Sequence, residues 1–161
     1  MSEDQTPACW CTGTRQTGCK RRGDVLRSRA AALWMFPTAT IAARLIDGVL
    51  PNLPGGIEAR AVRVPTAGVS AIDLALQVAR PATVADVNAA LSEAADHSPL
   101  FGYITDPLVS TDLRGRPESI IMSGRETSVS VGGLLRVFGW YDNEWGFSSR
   151  MLDMAALMAR R

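Results

Sequence analysis

Trp140-Tyr141-Asp142-Asn143-Glu144-Trp145-Gly146-Phe147-Ser148-Ser149-Arg150 is the stretch from which the fold is read. An apolar, strand-like segment at residues 134–139 leads into it, and Met151, Met154 and Met158 follow at the spacing of one helix face. The stretch is therefore a strand-to-helix junction, with two Trp, one Tyr and one Phe set around Asp142, Asn143 and Glu144. An Asn donates and accepts through one planar amide, which suits it to reading another amide such as a nicotinamide carboxamide. Periodicity alone favours a plainer reading. In it Asp142 to Glu144 end the strand, and Ser148 or Ser149 caps the helix.

Working outward, residues 127–131 and 134–141 read as a hairpin through Gly132-Gly133. The last helix, residues 145–159, is expected to bury Phe147, Met151, Met154 and Met158. Short strands are expected at residues 101–105, 109–113 and 120–123. Thr83-Val84-Ala85-Asp86 resembles a capping box with Asp in the Glu position, opening a helix that buries Val84, Val87, Leu91 and Ala94 and stops near His97. Residues 57–64 and 69–78 read as strands, and the short break at residues 65–68 predicts that they pair antiparallel. Further back, residues 30–36 form a short apolar run closed by Pro37. Thr38 or Thr40 then caps a helix that turns Ile41, Leu45, Ile46 and Val49 inward and ends before Pro51. This succession predicts an α+β fold, a mainly antiparallel mixed sheet with helices packed on one face.

Residues 1–22 differ from the rest, and residues 23–161 are expected to form the domain. The first segment is polar and aperiodic, so an irregular tail is expected, one that need not be related to the domain that follows. Cys9, Cys11 and Cys19 lie within it. A metal site would want a fourth ligand at suitable spacing and a reactive thiol would want a base beside it, so three incidental thiols are the preferred reading. The single histidine, His97, sits at a helix end, where an imidazole suits the dipole. Lys20-Arg21-Arg22 reads as a solvated charge run at a domain edge.

At 161 residues, 47% of them hydrophobic and 20% charged, the chain has the size and balance of one globular domain. A formal net charge of +1 gives no electrostatic case for nucleic-acid or membrane partners. No apolar run has the length of a spanning helix, and the N-terminus does not read as a secretory signal, so a cytoplasmic location is expected. No Gly-x-Gly-x-x-Gly follows a strand, so no dinucleotide-binding half is expected within these residues.

Trp140 to Glu144 together with Gly146, Ser148, Arg150 and Asp153 resembles the C-terminal signature of phosphorylating glyceraldehyde-3-phosphate dehydrogenases. Arg63-Val64-Pro65-Thr66 with Val69-Ser70 and Asp73-Leu74 resembles a second block of that family. A third runs from Arg29-Ala30-Ala31-Ala32 to Pro37-Thr38-Ala39-Thr40, where the family has Pro-Thr-Ser-Thr-Gly. The resemblance implies NAD- or NADP-dependent oxidation of an aldehyde sugar phosphate to an acyl phosphate in glycolysis, through a cysteine thiolate activated by a histidine. It assigns Arg63 to the substrate phosphate and Thr40 to the attacking phosphate, with Ile41 standing where the family has Gly. It assigns Asn143 to the nicotinamide carboxamide, with Phe147 in place of the usual Tyr. The family's Ser-Cys-Thr-Thr-Asn nucleophile stretch and its catalytic histidine have no counterpart here, so no catalytic residue is assigned and no metal is implied. The chain alone is accordingly expected to be inactive and not to bind the cofactor by itself. Its expected partners are other copies, full-length homologous subunits, or a sugar phosphate. A non-catalytic oligomerisation or interaction module, an erythrose-4-phosphate dehydrogenase-type relative, and a sugar-phosphate binding protein are the alternative readings.

Overall fold

The computed structural model describes residues 8–12, 35–38, 40–50 and 57–160. Among them the chain order is β1 (Ala8–Thr12), β2 (Phe36–Thr38), α1 (Ala42–Val49), β3 (Glu58–Arg63), β4 (Ser70–Gln77), α2 (Val84–Asp96), β5 (Phe101–Ile104), β6 (Ile120–Val129), β7 (Leu134–Tyr141) and α3 (Asn143–Ala159). A 3-10 turn at Ser110–Leu113 precedes β6. The strands form one seven-stranded sheet in the order β2-β3-β1-β4-β7-β6-β5. Pairing is parallel for β1 with β3 and β5 with β6, and antiparallel elsewhere. The architecture is α+β.

The centre of the sheet follows from alternation. β4 and β7 pair along their whole length, from Ser70 opposite Tyr141 to Gln77 opposite Leu134. Period 2 sends Leu74, Leu76, Leu135 and Val137 to one face, where Met122 joins them and Val87 and Leu91 of α2 pack down. On the other face Val69, Leu113 and Ile121 are buried together, against Ile104, Leu108 and Trp140. Burying one such side chain contributes about 1.5–3 kcal/mol, so these two clusters hold the sheet's centre flat against its covers.

Local chemistry sets the boundaries. The capping box at α2 forms as expected: Thr83 Oγ1 accepts from the Asp86 amide at 3.2 Å, and Asp86 Oδ2 accepts from the Thr83 amide at 2.9 Å. The β6–β7 turn closes with Gly133 at φ +81, a conformation that costs glycine little. Ser130 Oγ accepts from the Leu134 amide there.

Several expectations are corrected. Ala8–Thr12 is not irregular. It is a strand, and it lies between β3 and β4, so those two do not pair with each other. Five residues are too few to show a period, and the short break at residues 65–68 hid the insertion. β2 runs through Pro37, which an edge strand tolerates because one side of it makes no ladder bonds. Residues 110–113 form a 3-10 turn rather than a strand, and Ile120–Val129 is one strand with an irregularity between Ser123 and Ser128 rather than two. Residues 30–34 and Cys19 lie outside the described residues.

The helix faces are corrected too. Ile41, Leu45 and Val49 of the α1 region are exposed, as are Val84 and Ala94 of α2. Phe147, Met151, Met154 and Met158 of α3 are 66%, 59%, 57% and 71% exposed. α3 meets the body of the domain through its first two turns. Gly146 is buried there, and a Cβ on it would lie 3.0 Å from the Glu118 carbonyl oxygen. Arg150 Nη1 donates to the Pro117 carbonyl at 3.3 Å and to Ser119 Oγ at 3.1 Å. Every residue from Met151 to Arg160 is exposed. No element of the described chain covers the expected face of α3, and Leu152 and Leu157 on its other sides are exposed as well.

Candidate functional site

The junction after β7 is built around Asp142. Its Oδ1 accepts from the amides of Glu144 and Trp145 at 3.1 and 2.9 Å, which satisfies two of the donors a helix start leaves open. Its Oδ2 accepts from the Gly115 amide at 2.9 Å, which ties α3 to the loop before β6. Burial pushes this carboxyl upward, but the bonds from Gly115, Trp145 and Glu144 and the nearby charge of Arg114 outweigh it and hold the group below its ordinary value.

Asn143 follows as the first residue of α3. Ser70, 1% exposed at the start of β4, donates through Oγ–H to Asn143 Oδ1 at 2.7 Å. That bond commits the carbonyl end of the amide and directs the NH2 end away from Ser70. The residue before Ser70 is unusual. Val69 is buried at φ +62, a left-handed conformation that a β-branched residue adopts only when its surroundings impose it, at about 1–3 kcal/mol. Packing against Leu113 and Ile121 holds Val69 in place and so fixes where Ser70 points.

Register places Arg63 on the same rim of the sheet. Val62 is opposite Thr12, Thr12 is opposite Ala71, and Ala71 is opposite Trp140. One step further out come Arg63, Ser70 and Tyr141. Two strand spacings separate β3 from β4, so Arg63 and the Ser70–Asn143 pair stand roughly 10 Å apart across the strands. Beside them a cleft of about 350 Å³ opens between Ala67 and Gly68, Arg114 and Gly115, and the first turn of α3 at Asp142, Glu144 and Trp145.

Thr40 is placed differently. β2 is antiparallel to β3 with Phe36 opposite Arg63 and Thr38 opposite Ala61, so the chain leaves β2 heading away from the Arg63 end. Thr40 then opens α1, its Oγ1 accepting from the Ala42 amide at 3.2 Å. The Ile41 side chain turns outward, 67% exposed, and so does not fill the helix start. The structure thus gathers Arg63 and Asn143 on one rim and leaves Thr40 at the far side of the β2–β3 ladder. His97 is the C-cap of α2, with Nδ1 donating to the Glu93 carbonyl at 2.7 Å. Cys9 and Cys11 lie on β1, at the register positions of Leu74 and Ile72.

The family model that matches this chain is the glyceraldehyde 3-phosphate dehydrogenase C-terminal domain, over residues 10–143. The chain belongs to that family. Within it, the glyceraldehyde-3-phosphate dehydrogenase of Cereibacter sphaeroides is 45% identical over 152 residues, 92% of this chain and 45% of that protein. The enzyme of Pseudomonas aeruginosa is 49% identical over 136 residues, 84% of this chain and 40% of that protein. Glyceraldehyde-3-phosphate dehydrogenase 1 of Bacillus subtilis is 43% identical over 140 residues, 86% of this chain and 42% of that protein. The chain therefore spans less than half the length of these curated relatives. The family match begins at Trp10, inside β1 and ahead of Gly23. Membership of the glyceraldehyde 3-phosphate dehydrogenase family makes the Trp140 to Asn143 junction part of the shared domain, with most of α3 beyond the matched stretch. In the sequence Ser70 stands out only as part of the Arg63 to Leu74 block. Its bond to a residue 73 positions away leaves no local signal.

Proposed function

We propose that this chain supplies the substrate-domain side of a glyceraldehyde-3-phosphate dehydrogenase site, with the nucleophile and the nucleotide fold contributed from outside residues 1–161. The observation that carries the reading is the Asn143 amide, held by buried Ser70 on the rim that also bears Arg63. A carboxamide fits such a group, since the NH2 end left by the Ser70 bond matches its carbonyl. NAD or NADP, when bound, supplies the hydride acceptor for aldehyde oxidation. Arg63 grips the phosphate of the aldehyde substrate through two nitrogens. Glyceraldehyde 3-phosphate is the first substrate to test and erythrose 4-phosphate the second.

The test is reconstitution. The purified chain given aldehyde, NAD and phosphate yields no NADH. Mixed with the part of the Cereibacter sphaeroides enzyme that this chain does not match, it yields NADH. In that mixture Arg63→Ala raises the KM for the aldehyde phosphate and Asn143→Ala raises the KM for NAD, each by ~10-fold or more, as expected for loss of a charge-assisted or a buried hydrogen bond. Turnover by the chain alone, or variants indistinguishable from the parent in the mixture, would overturn the reading.

A further inference from the structure

We infer that Arg150 is a positioning residue for cofactor binding: by clamping the second turn of α3 to residues 115–119, it sets where the Asn143 amide stands. The inference rests on the reading of Asn143 as the group that meets a carboxamide.

Helical spacing puts Asn143, Gly146 and Arg150 on one stripe of α3. Asn143 and Arg150 lie two turns apart, about 20° around the axis and roughly 10 Å along it. Each of the three meets the domain. Asn143 Oδ1 accepts from Ser70 at 2.7 Å, and Gly146 lies against the Glu118 carbonyl. Arg150 Nη1 reaches the Pro117 carbonyl and Ser119 Oγ. The last two contacts, and the Gly115 amide that binds Asp142, all fall within residues 115–119. One short segment thus holds both the start and the second turn of α3. Gly146 has no side chain to bond with, so it serves as a fulcrum between them. It stands roughly 4.5 Å along the axis from Asn143 and roughly 6 Å from Arg150. A second turn that lifts from residues 117–119 therefore tilts the first turn the other way and passes most of its shift to Asn143.

Both sides of the clamp are braced. In the segment, Arg116 Nε donates to the two carboxylate oxygens of Glu118 at 3.2 and 3.1 Å. The Ser119 amide donates to the Leu100 carbonyl at 2.8 Å, which ties the segment to the start of β5. On the helix, Asp153 Oδ2 accepts from Arg150 Nε at 2.8 Å and lies 2.7 Å from Nη2. That ion pair occupies one edge of the guanidinium and leaves Nη1 turned to the segment. A planar guanidinium makes both sets of bonds at once, whereas a lysine ammonium presents a single nitrogen and cannot. At two turns from the amide, Arg150 acts through Asn143 and not on the cofactor. The distance does not make it unimportant, because a remote change that misplaces a binding group by about 1 Å can cost up to about 100-fold.

Two measurements test this. In the full chain by itself, NMR of the Asn143 side-chain amide reads its surroundings directly. Arg150→Ala shifts its two N–H signals, while Thr83→Ala, which weakens the start of α2, leaves them in place. Unmoved signals in Arg150→Ala overturn the inference. In the reconstituted mixture, Arg150→Ala raises the KM for NAD by about 3- to 10-fold, and kcat at saturating NAD falls by less than about twofold. A merely structural loss would do the reverse: less active enzyme, a lower apparent kcat and an unchanged KM. Arg150→Lys falls between the parent and Arg150→Ala, and it carries the test should the alanine variant not fold. The double variant is the sharpest arm. Added to Asn143→Ala, Arg150→Ala costs nothing more, because the amide it positions is gone. Losses that multiply, or a fall in kcat with no change in KM, overturn the inference. If Asn143→Ala leaves the KM for NAD unchanged, the carboxamide reading fails and this inference with it. If Asn143→Ala raises that KM and Arg150→Ala does not, this inference alone fails.

Discussion

Ser70 and Asp142 hold Asn143 from two sides, one through its amide oxygen and one through the turn that carries it. Ser70→Ala removes the donor and leaves Asn143 Oδ1 without it, at a cost of about 1–3 kcal/mol in a buried setting. The expected outcome is a lower thermal midpoint, measured by calorimetry, together with the weakened NAD use of Asn143→Ala in the reconstituted mixture. An unchanged midpoint would mean that the hydroxyl does no work there. Asp142 gives a pH dependence whose sign follows from its depressed pKa. In the unfolded chain it titrates near the usual ~3.9, and in the folded chain lower. Its contribution is therefore complete above the unfolded value and is lost as pH falls through the folded one. Urea midpoints measured from neutral pH downward should fall at the acid end, and fall less in Asp142→Asn, which has no carboxylate to protonate. At this scale the sequence was informative where a residue acts through its own type. Asn143 and Arg63 stood out because a planar amide and a guanidinium in those blocks have specific uses. The role of Ser70 was not legible, because it depends on a register between distant strands and on the backbone of Val69.

Elements were legible to the extent that their pattern is local. The Thr83–Asp86 box carries its own two hydrogen bonds within one turn, and it formed where the residues indicated. Thr83→Ala should cost about 1 kcal/mol, read as a lower midpoint in thermal unfolding, because the Asp86 amide loses its acceptor. α3 shows the opposite case. Its expected face came from the spacing of Phe147, Met151, Met154 and Met158, yet periodicity says nothing about what lies against a face. What fixes α3 to the domain is Gly146, whose missing side chain lets the helix approach the loop before β6. Gly146→Leu would drive a side chain into the Glu118 carbonyl, which is backbone and cannot swing aside. Helix propensity favours Leu over Gly by about 0.5–1 kcal/mol, but overpacking costs about 1–3 kcal/mol, so a net loss is expected. The urea midpoint read by circular dichroism measures the loss. A stabilised variant would show that α3 is held elsewhere.

The whole molecule depends on the strand that the sequence pattern concealed. β1 is the third of seven strands, parallel to β3 over five residue pairs and antiparallel to β4 over four. Its parallel pairing with β3 requires a crossover, and the chain supplies one through β2 and α1. A polar, aperiodic segment of residues 1–22 invites removal as a tail, and the two readings of that segment make opposite forecasts. If it is dispensable, a chain starting at Gly23 unfolds with the same midpoint and the same denaturant dependence. If β1 is structural, its loss leaves β3 and β4 each with an unpaired ladder edge and cuts the β2–β3 pair from the four-stranded remainder, β4-β7-β6-β5. Net stabilities of domains are only about 5–15 kcal/mol, and a row of ladder bonds at about 1 kcal/mol each, plus the packing they organise, takes most of that. The structure predicts the second outcome. The shortened chain should lose its cooperative urea transition, and limited proteolysis should cut it first within residues 30–63, while the α2–β5–β6–β7 region outlasts that part.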